Sequence, residues 1–192
     1  PPSKRYLVSF FGVVGSAASQ SLSPLIHNAC FSSNNQAALY LPLQSASLGD
    51  ALEFADAIGC RGLSITSPFK ETAESLLGKD ASASVYATRA VNTLTRKPDG
   101  WRCGNTDPHG LMAALMRHVT PQTLAGSRVL LLGYGGAARA VLHALKGHTG
   151  ELLLTGRNHD KAKALAAETG VTFHPSPETD ERPLDIIVNC TS

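Results

Sequence analysis

The chain has 192 residues, 43% of them hydrophobic and 17% charged, with a formal net charge of +2. That length and balance suit one large domain or two small ones with packed cores, and they exclude a disordered composition. The small net charge, without a long basic run, argues against a nucleic-acid surface, and no apolar stretch approaches the roughly 20 residues a membrane-spanning helix needs.

Strand-like and helix-like segments alternate along the whole chain, which predicts an α/β fold with parallel strands. "RYLVSFFGVVG" reads as a strand ending at Gly15. "SPLIHNACFSS" reads as a helix with Ser23 as its cap and Pro24 at the first helical position. "ALYLPL" is a second strand, and "LGDALEFADAIG" an amphipathic helix closed by Gly59. A "GLSI" strand follows, then a helix over Glu71 to Leu77. "AVNTLTR" pairs with "GWRCG" across the turn at Pro98, Asp99 and Gly100. The helix "DPHGLMAALMRHV" ends the first half, and "TPQTLAGS", Thr120 to Ser127, reads as a connection between domains.

The second half opens on "RVLLLGYGGAARAVLHALK". The apolar run Val129 to Leu132 suits a strand covered on both faces. It meets Gly133-Tyr134-Gly135-Gly136-Ala137-Ala138 and then a helical pattern, which fits G-x-G-x-x-A between strand and helix. Gly133 permits the tight turn, Gly135 lets backbone approach a pyrophosphate, and Ala138 allows close helix packing. The helix start beyond Gly136 and Ala137 favours an anion. The plain alternative is a glycine-rich turn of any α/β protein; the flanks and the strand behind it favour dinucleotide binding. That strand, "ELLLTGRN", ends without the acidic residue that holds a ribose 2′-hydroxyl. Arg157, with Lys161 one helical turn onward, suits a 2′-phosphate, so the expected cofactor is NADP(H).

The four cysteines, Cys30, Cys60, Cys103 and Cys190, form no CxxC pair and read as reduced thiols in a cytosol-like compartment. A cytoplasmic location is expected. The histidines include His143 and His148 but no HExxH or Cys/His cluster, so no metal is expected. The start, Pro1-Pro2, does not look like a signal peptide and reads as processed or cut from something longer.

Taken together the motifs resemble the shikimate dehydrogenase family along essentially the whole length. They are "SLSP" at Ser21 to Pro24, "SITSPFK" up to Lys70, "AVNTL" at Ala90 to Leu94, and "GNTD" at Gly104 to Asp107. "GYGGAARA" at Gly133 to Ala140, "TGR" at Thr155 to Arg157 and "NCTS" at Asn189 to Ser192 follow in order. The resemblance implies reversible reduction of 3-dehydroshikimate to shikimate with NADPH. It implies a substrate-binding α/β domain (1–119) followed by a Rossmann-like NADP-binding domain (120–192) that is incomplete in this chain. Ser21 and Ser23 are implied to hold the substrate carboxylate. Thr66 and Asn92 are implied to meet ring hydroxyls, and Lys70 with Asp107 to carry the catalysis. On the cofactor side the same resemblance points to Gly133, Gly135, Gly136, Ala137, Arg157, Lys161 and Thr191. Each also has a plain structural reading: Lys70 solvated, Asn92 in a turn, Ser23 or Asp107 capping a helix, Arg157 on the surface. As an ordered set they favour the site.

Departures from the family pattern are Gln20, Ser64, Pro108, Gly156 and Asn158. Ser64 stands where an asparagine is usual, so one substrate contact is shorter or water-mediated. Proline at the first helical turn leaves Asp107 as a natural cap. The third main strand of the nucleotide half, "LDIIVNCTS", runs into the C-terminus, so the chain is expected to be C-terminally truncated and to turn over weakly or not at all. The expected partner is a small-molecule substrate, with neither nucleic acid nor membrane. A dimer, or a place in a larger multifunctional polypeptide, stays open. So do quinate as substrate and a non-catalytic regulatory homologue.

Overall fold

The computed structural model describes residues 8–75, 81–175 and 181–191. By their internal contacts these residues form two compact units. The first runs to Val85 and takes in Val91–Gly104; the second takes in Tyr86–Ala90 and the described residues from Asn105 onward.

In the first unit, β1 (Ser9–Gly15) leads through a short 3-10 turn (Ala18–Gln20) into α1 (Ser23–Ser33). Then come β2 (Ala38–Gln44), α2 (Leu48–Ala57), β3 (Cys60–Ile65), α3 (Thr72–Ser75), α4 (Ala83–Thr88), β4 (Thr93–Lys97) and β5 (Gly100–Gly104). The sheet order is β2-β1-β3-β4-β5. β2, β1 and β3 are parallel, while β4 and β5 run antiparallel, so the sheet is mixed. Alternation along the strands divides the side chains between two cores. Val14, Leu63, Ile65, Leu94 and Cys103 pack under Leu48, Ala51 and Ala55 of α2. Val13 and Tyr40 point to the other face with Ala18, Phe11 and Phe31. Gly59 closes α2 in the left-handed region at φ +67°, as the sequence predicted, and the Ser47 side chain caps its start by accepting from Asp50 N–H.

In the second unit, α5 (Asp107–Leu115) and α6 (Pro121–Gly126) precede β6 (Arg128–Leu132). α7 (Gly136–Leu145), β7 (Glu151–Thr155), α8 (His159–Thr169), β8 (Thr172–Phe173) and β9 (Ile186–Asn189) complete it. All four strands are parallel, in the order β8-β7-β6-β9. Two readings need correction. Thr120 to Ser127 is a capped helix, with Thr120 accepting from Thr123 N–H and Leu124 buried in the second core. The "IIVN" strand is the fourth of this sheet, because the two-residue β8 at Thr172–Phe173 precedes it. A strand that short carries no readable period. Of the predicted helix at Glu71 to Leu77, the described part is Thr72–Ser75, and Leu77 lies outside the described residues. The same holds for Arg5 to Leu7 of the first strand and for Ser192.

Arg128 fastens one end of this sheet. It is 8% exposed; its Nε donates to Glu151 Oε2 at 2.6 Å and its Nη1 to the Arg182 carbonyl at 2.8 Å. Its backbone N–H donates to Asp185 Oδ2 at 2.7 Å, so one residue ties the starts of β6, β7 and β9. Arg128→Ala is expected to lower unfolding free energy by about 2 kcal/mol, below the full figure for a buried pair because Glu151 keeps some solvent. Chemical denaturation checks this, and a change under ~0.5 kcal/mol overturns it. Among the described residues no helix is long and apolar enough to cross a membrane.

Candidate active site

In the first unit the groups of interest gather where β1 and β3 end. Thr66 leaves β3 with its N–H donating to the Val14 carbonyl at 2.9 Å. It leans so closely over Gly15 that a Cβ there would lie 2.4 Å from Thr66 Cγ2, so this position of β1 must be glycine. Phe69 N–H returns to the Thr66 carbonyl at 3.0 Å, and the Phe69 ring is buried in the larger core. Burying Phe69 anchors the corner and leaves its neighbour Lys70 half-buried. The Lys70 carbonyl accepts from Val91 N–H at 2.7 Å, so the main chain is held on both sides of this lysine.

Asn92 is locked in the same way. Its carbonyl accepts from Ile65 N–H at 2.8 Å and its N–H donates to the Gly104 carbonyl at 3.1 Å. Thr93 Oγ1 donates to its Oδ1 at 2.7 Å, which fixes the side-chain amide as well. β4 runs antiparallel to β3, so its start stands at the end of β3, and that topology brings Asn92 to the level of Thr66. The exit of β1 is tied to the corner by Ser16 N–H donating to the Ser67 carbonyl at 3.3 Å. Beyond that exit, Ser21 Oγ accepts from Ser23 N–H at 3.2 Å. The expected cap is thereby corrected: Ser23 is the first helical residue and Ser21 supplies the hydroxyl at the start of α1. A hydroxyl that accepts keeps its own proton to donate, which is what an anion requires.

Asp107 belongs to the second unit, as the first residue of α5. The cap expected there is corrected too. Thr106 occupies the cap position, and Asp107 N–H is taken by Asn105 Oδ1 at 3.1 Å. Asn105 is 7% exposed, and its amide also donates to Thr88 Oγ1 at 3.1 Å and the Ala90 carbonyl at 3.0 Å. It fixes where α5 begins. Sequence reasoning passed over it, although a polar residue directly before the "TD" pair was the available signal.

The residues expected to hold the cofactor also lie in this unit. β6 and β9 are neighbours while β7 and β8 extend the opposite way, so the strand order reverses beside β6, where a dinucleotide fold binds its ligand. Gly133 sits at that point. Its φ is +119°, its N–H donates to the Thr155 carbonyl at 2.9 Å, and a Cβ would lie 2.9 Å from the Cys190 carbonyl oxygen. Only glycine fits there. Gly135 is the cap residue of α7 and provides no side chain, so the first amides at Gly136 and Ala137 carry no side-chain cap. Ala138 is fully buried against the sheet. Thr191, at the end of β9, donates from N–H and Oγ1 to Asn189 Oδ1 at 3.0 and 2.8 Å.

Arg157 is exposed just beyond β7 and makes no ion pair among the described residues. Asn158 caps α8 by accepting from Lys161 N–H at 3.0 Å, which places Lys161 in the first turn. Gly156 also has its reason: a Cβ there would lie 2.7 Å from the Tyr134 ring. The tyrosine of the glycine turn occupies the space that a larger residue would need.

Residues 13–94 match the family model described as the shikimate dehydrogenase substrate binding domain. The shikimate dehydrogenase (NADP(+)) of Syntrophobacter fumaroxidans is 40% identical, over 98% of this chain and 66% of that protein. That of Methanothrix thermoacetophila is 37% identical, over 95% of this chain and 67% of that protein. The crystal structure of shikimate 5-dehydrogenase from Thermus thermophilus, in complex with NADP(H) and shikimate, superposes with a TM-score of 0.83 at 30% identity. It covers 95% of this chain and 68% of that one. The chain thus spans about two thirds of the length of the relatives it matches.

Proposed function

The chain belongs to the shikimate dehydrogenase family, and we propose that it supplies the groups for reversible NADPH-dependent reduction of 3-dehydroshikimate to shikimate. The observation that carries the reading is the braced Lys70 corner at the end of β3, in a chain this similar to NADP-dependent shikimate dehydrogenases. Residues 1–119 are assigned the substrate and 120–192 the nucleotide.

The residues present fit NADP(H). The Gly133 turn admits backbone but no Cβ, the start of α7 lacks a side-chain cap, and β7 ends on Arg157 with no acid. Gly133, Gly135, Gly136 and Ala137 would face the pyrophosphate, Arg157 and Lys161 the 2′-phosphate, and Thr191, just past β9, would complete the cofactor-binding set. When bound, NADPH supplies the hydride. Ser21 and Ser23 hold the carboxylate, while Thr66 and Asn92 orient ring hydroxyls. Lys70 holds the ketone oxygen, offsets its developing negative charge and gives the proton that completes the alcohol. Asp107, the first residue of α5, is the second group assigned to the catalysis.

Steady-state assays of the full-length protein with shikimate and with quinate, each with NADP and NAD, test the reading. Because both short hydroxyls at the start of α1 are present, a compact carboxylate site is expected and kcat/KM should be higher for shikimate. A comparable or higher value for quinate overturns that preference. Absence of turnover with either substrate overturns the dehydrogenase reading and favours a non-catalytic homologue.

A further inference from the structure

The smaller core of the first unit ends in a polar contact that the assignments above do not use. Tyr40 lies opposite Phe11 in the β1–β2 register and packs with Val13 and Ala18. Its phenol reaches past β1 and donates to Ser64 Oγ at 2.6 Å. Ser64 is opposite Val13 on β3, and side chains alternate there: Leu63 and Ile65 enter the larger core, while Ser64 and Thr66 share the other face. The tyrosine is held firmly. Asn28 clamps its backbone, donating from Nδ2 to the Tyr40 carbonyl at 3.0 Å and accepting Tyr40 N–H on Oδ1 at 2.8 Å. His27 stacks on the ring with centroids 4.3 Å apart. Burial pushes the phenol above its ordinary pKa, although the Ser64 bond pulls the other way, so it remains a donor.

A serine hydroxyl has one proton and two acceptor positions. With the Tyr40 proton in one of those positions, the Ser64 proton must leave in another direction. We propose that Tyr40 is a positioning residue, which by donating to Ser64 turns the Ser64 hydroxyl to donate, beside Thr66, to a ring hydroxyl of the polyhydroxylated acid substrate. Ser64 then meets the substrate directly, without a bridging water, and Tyr40 sets the direction of its proton. The inference rests on the functional reading above.

The test is a double-mutant cycle in the full-length protein: Tyr40→Phe, Ser64→Ala and both, assayed with shikimate and NADP, with thermal melting measured in parallel. A ring-hydroxyl contact is made equally in ground and transition states, so its loss appears in KM. Each single change is expected to raise KM about 3- to 10-fold, the scale of one neutral hydrogen bond, with kcat within about twofold. The double variant should be no worse than the worse single. An unchanged KM in Tyr40→Phe, or additive increments, overturns the inference even if the variant melts lower, because a purely structural bond would move melting alone. Should the unmodified protein fail to oxidise shikimate, the functional reading falls and this inference with it; an active parent with an indifferent Tyr40→Phe variant sinks this inference only.

Discussion

Lys70→Ala is expected to lower kcat of the full-length protein by about 100-fold or more, the usual scale for removing a positioned proton-transfer group, with KM affected less. Hydride addition to a ketone leaves an alkoxide, and without a positioned acid that charge must be quenched from water. The main chain around Lys70 is braced independently of its side chain, by Val91 N–H on its carbonyl and by the buried ring of Phe69. Truncation at Cβ therefore leaves the corner standing. The variant should melt within a few degrees of the parent, so a loss of rate can be assigned to chemistry. Rapid mixing with limiting substrate checks that the slow step is the chemical one. An unchanged kcat would return Lys70 to a solvated charge at the start of a helix.

Arg157→Ala should weaken NADP binding by about 10- to 100-fold, the worth of one or two charge-assisted hydrogen bonds, and NAD binding by less than about threefold. The sign follows from geometry. Arg157 stands exposed past β7 without an ion pair among the described residues, so its removal breaks no ion pair there. The guanidinium distinguishes the two cofactors only through the 2′-phosphate. Titration of each nucleotide by calorimetry, with salt held constant, measures the ratio. Equal weakening of both would mean that the arginine packs on the adenine or serves only the fold.

Periodicity made the α/β alternation, the β4–β5 hairpin and the glycine turn legible, because each is local: alternation, apolar runs and turn residues act over a few positions. Lys70 could be singled out because a cation directly after a buried strand is a local anomaly. Arg157 could be read as a phosphate group because the missing acid is counted along one strand.

Other features depend on residues far apart in the chain. Gly15 is required by Thr66, Gly156 by Tyr134, and Gly133 by the Cys190 carbonyl; no window of sequence contains both members of any of these pairs. The caps moved back by one residue, to Leu22 and Thr106, while Ser21 and Asn105 accept the N–H groups of Ser23 and Asp107, which become the first helical residues. Thr120 to Ser127 has the composition of a connection, yet it is helical because Leu124 finds a core to enter. Arg128 and Tyr40 read as an ordinary strand start and an ordinary strand aromatic. Their work lies with Glu151, Asp185 and Ser64, partners brought to them by strand pairing. The sequence by itself determined most of the elements, whose periods and turn residues are local, but neither the Pro121–Gly126 helix nor the two-residue β8. Tertiary structure alone decided which of their ends meet, because hydrogen bonds and close contacts act over a few ångströms in space, whatever the distance along the chain.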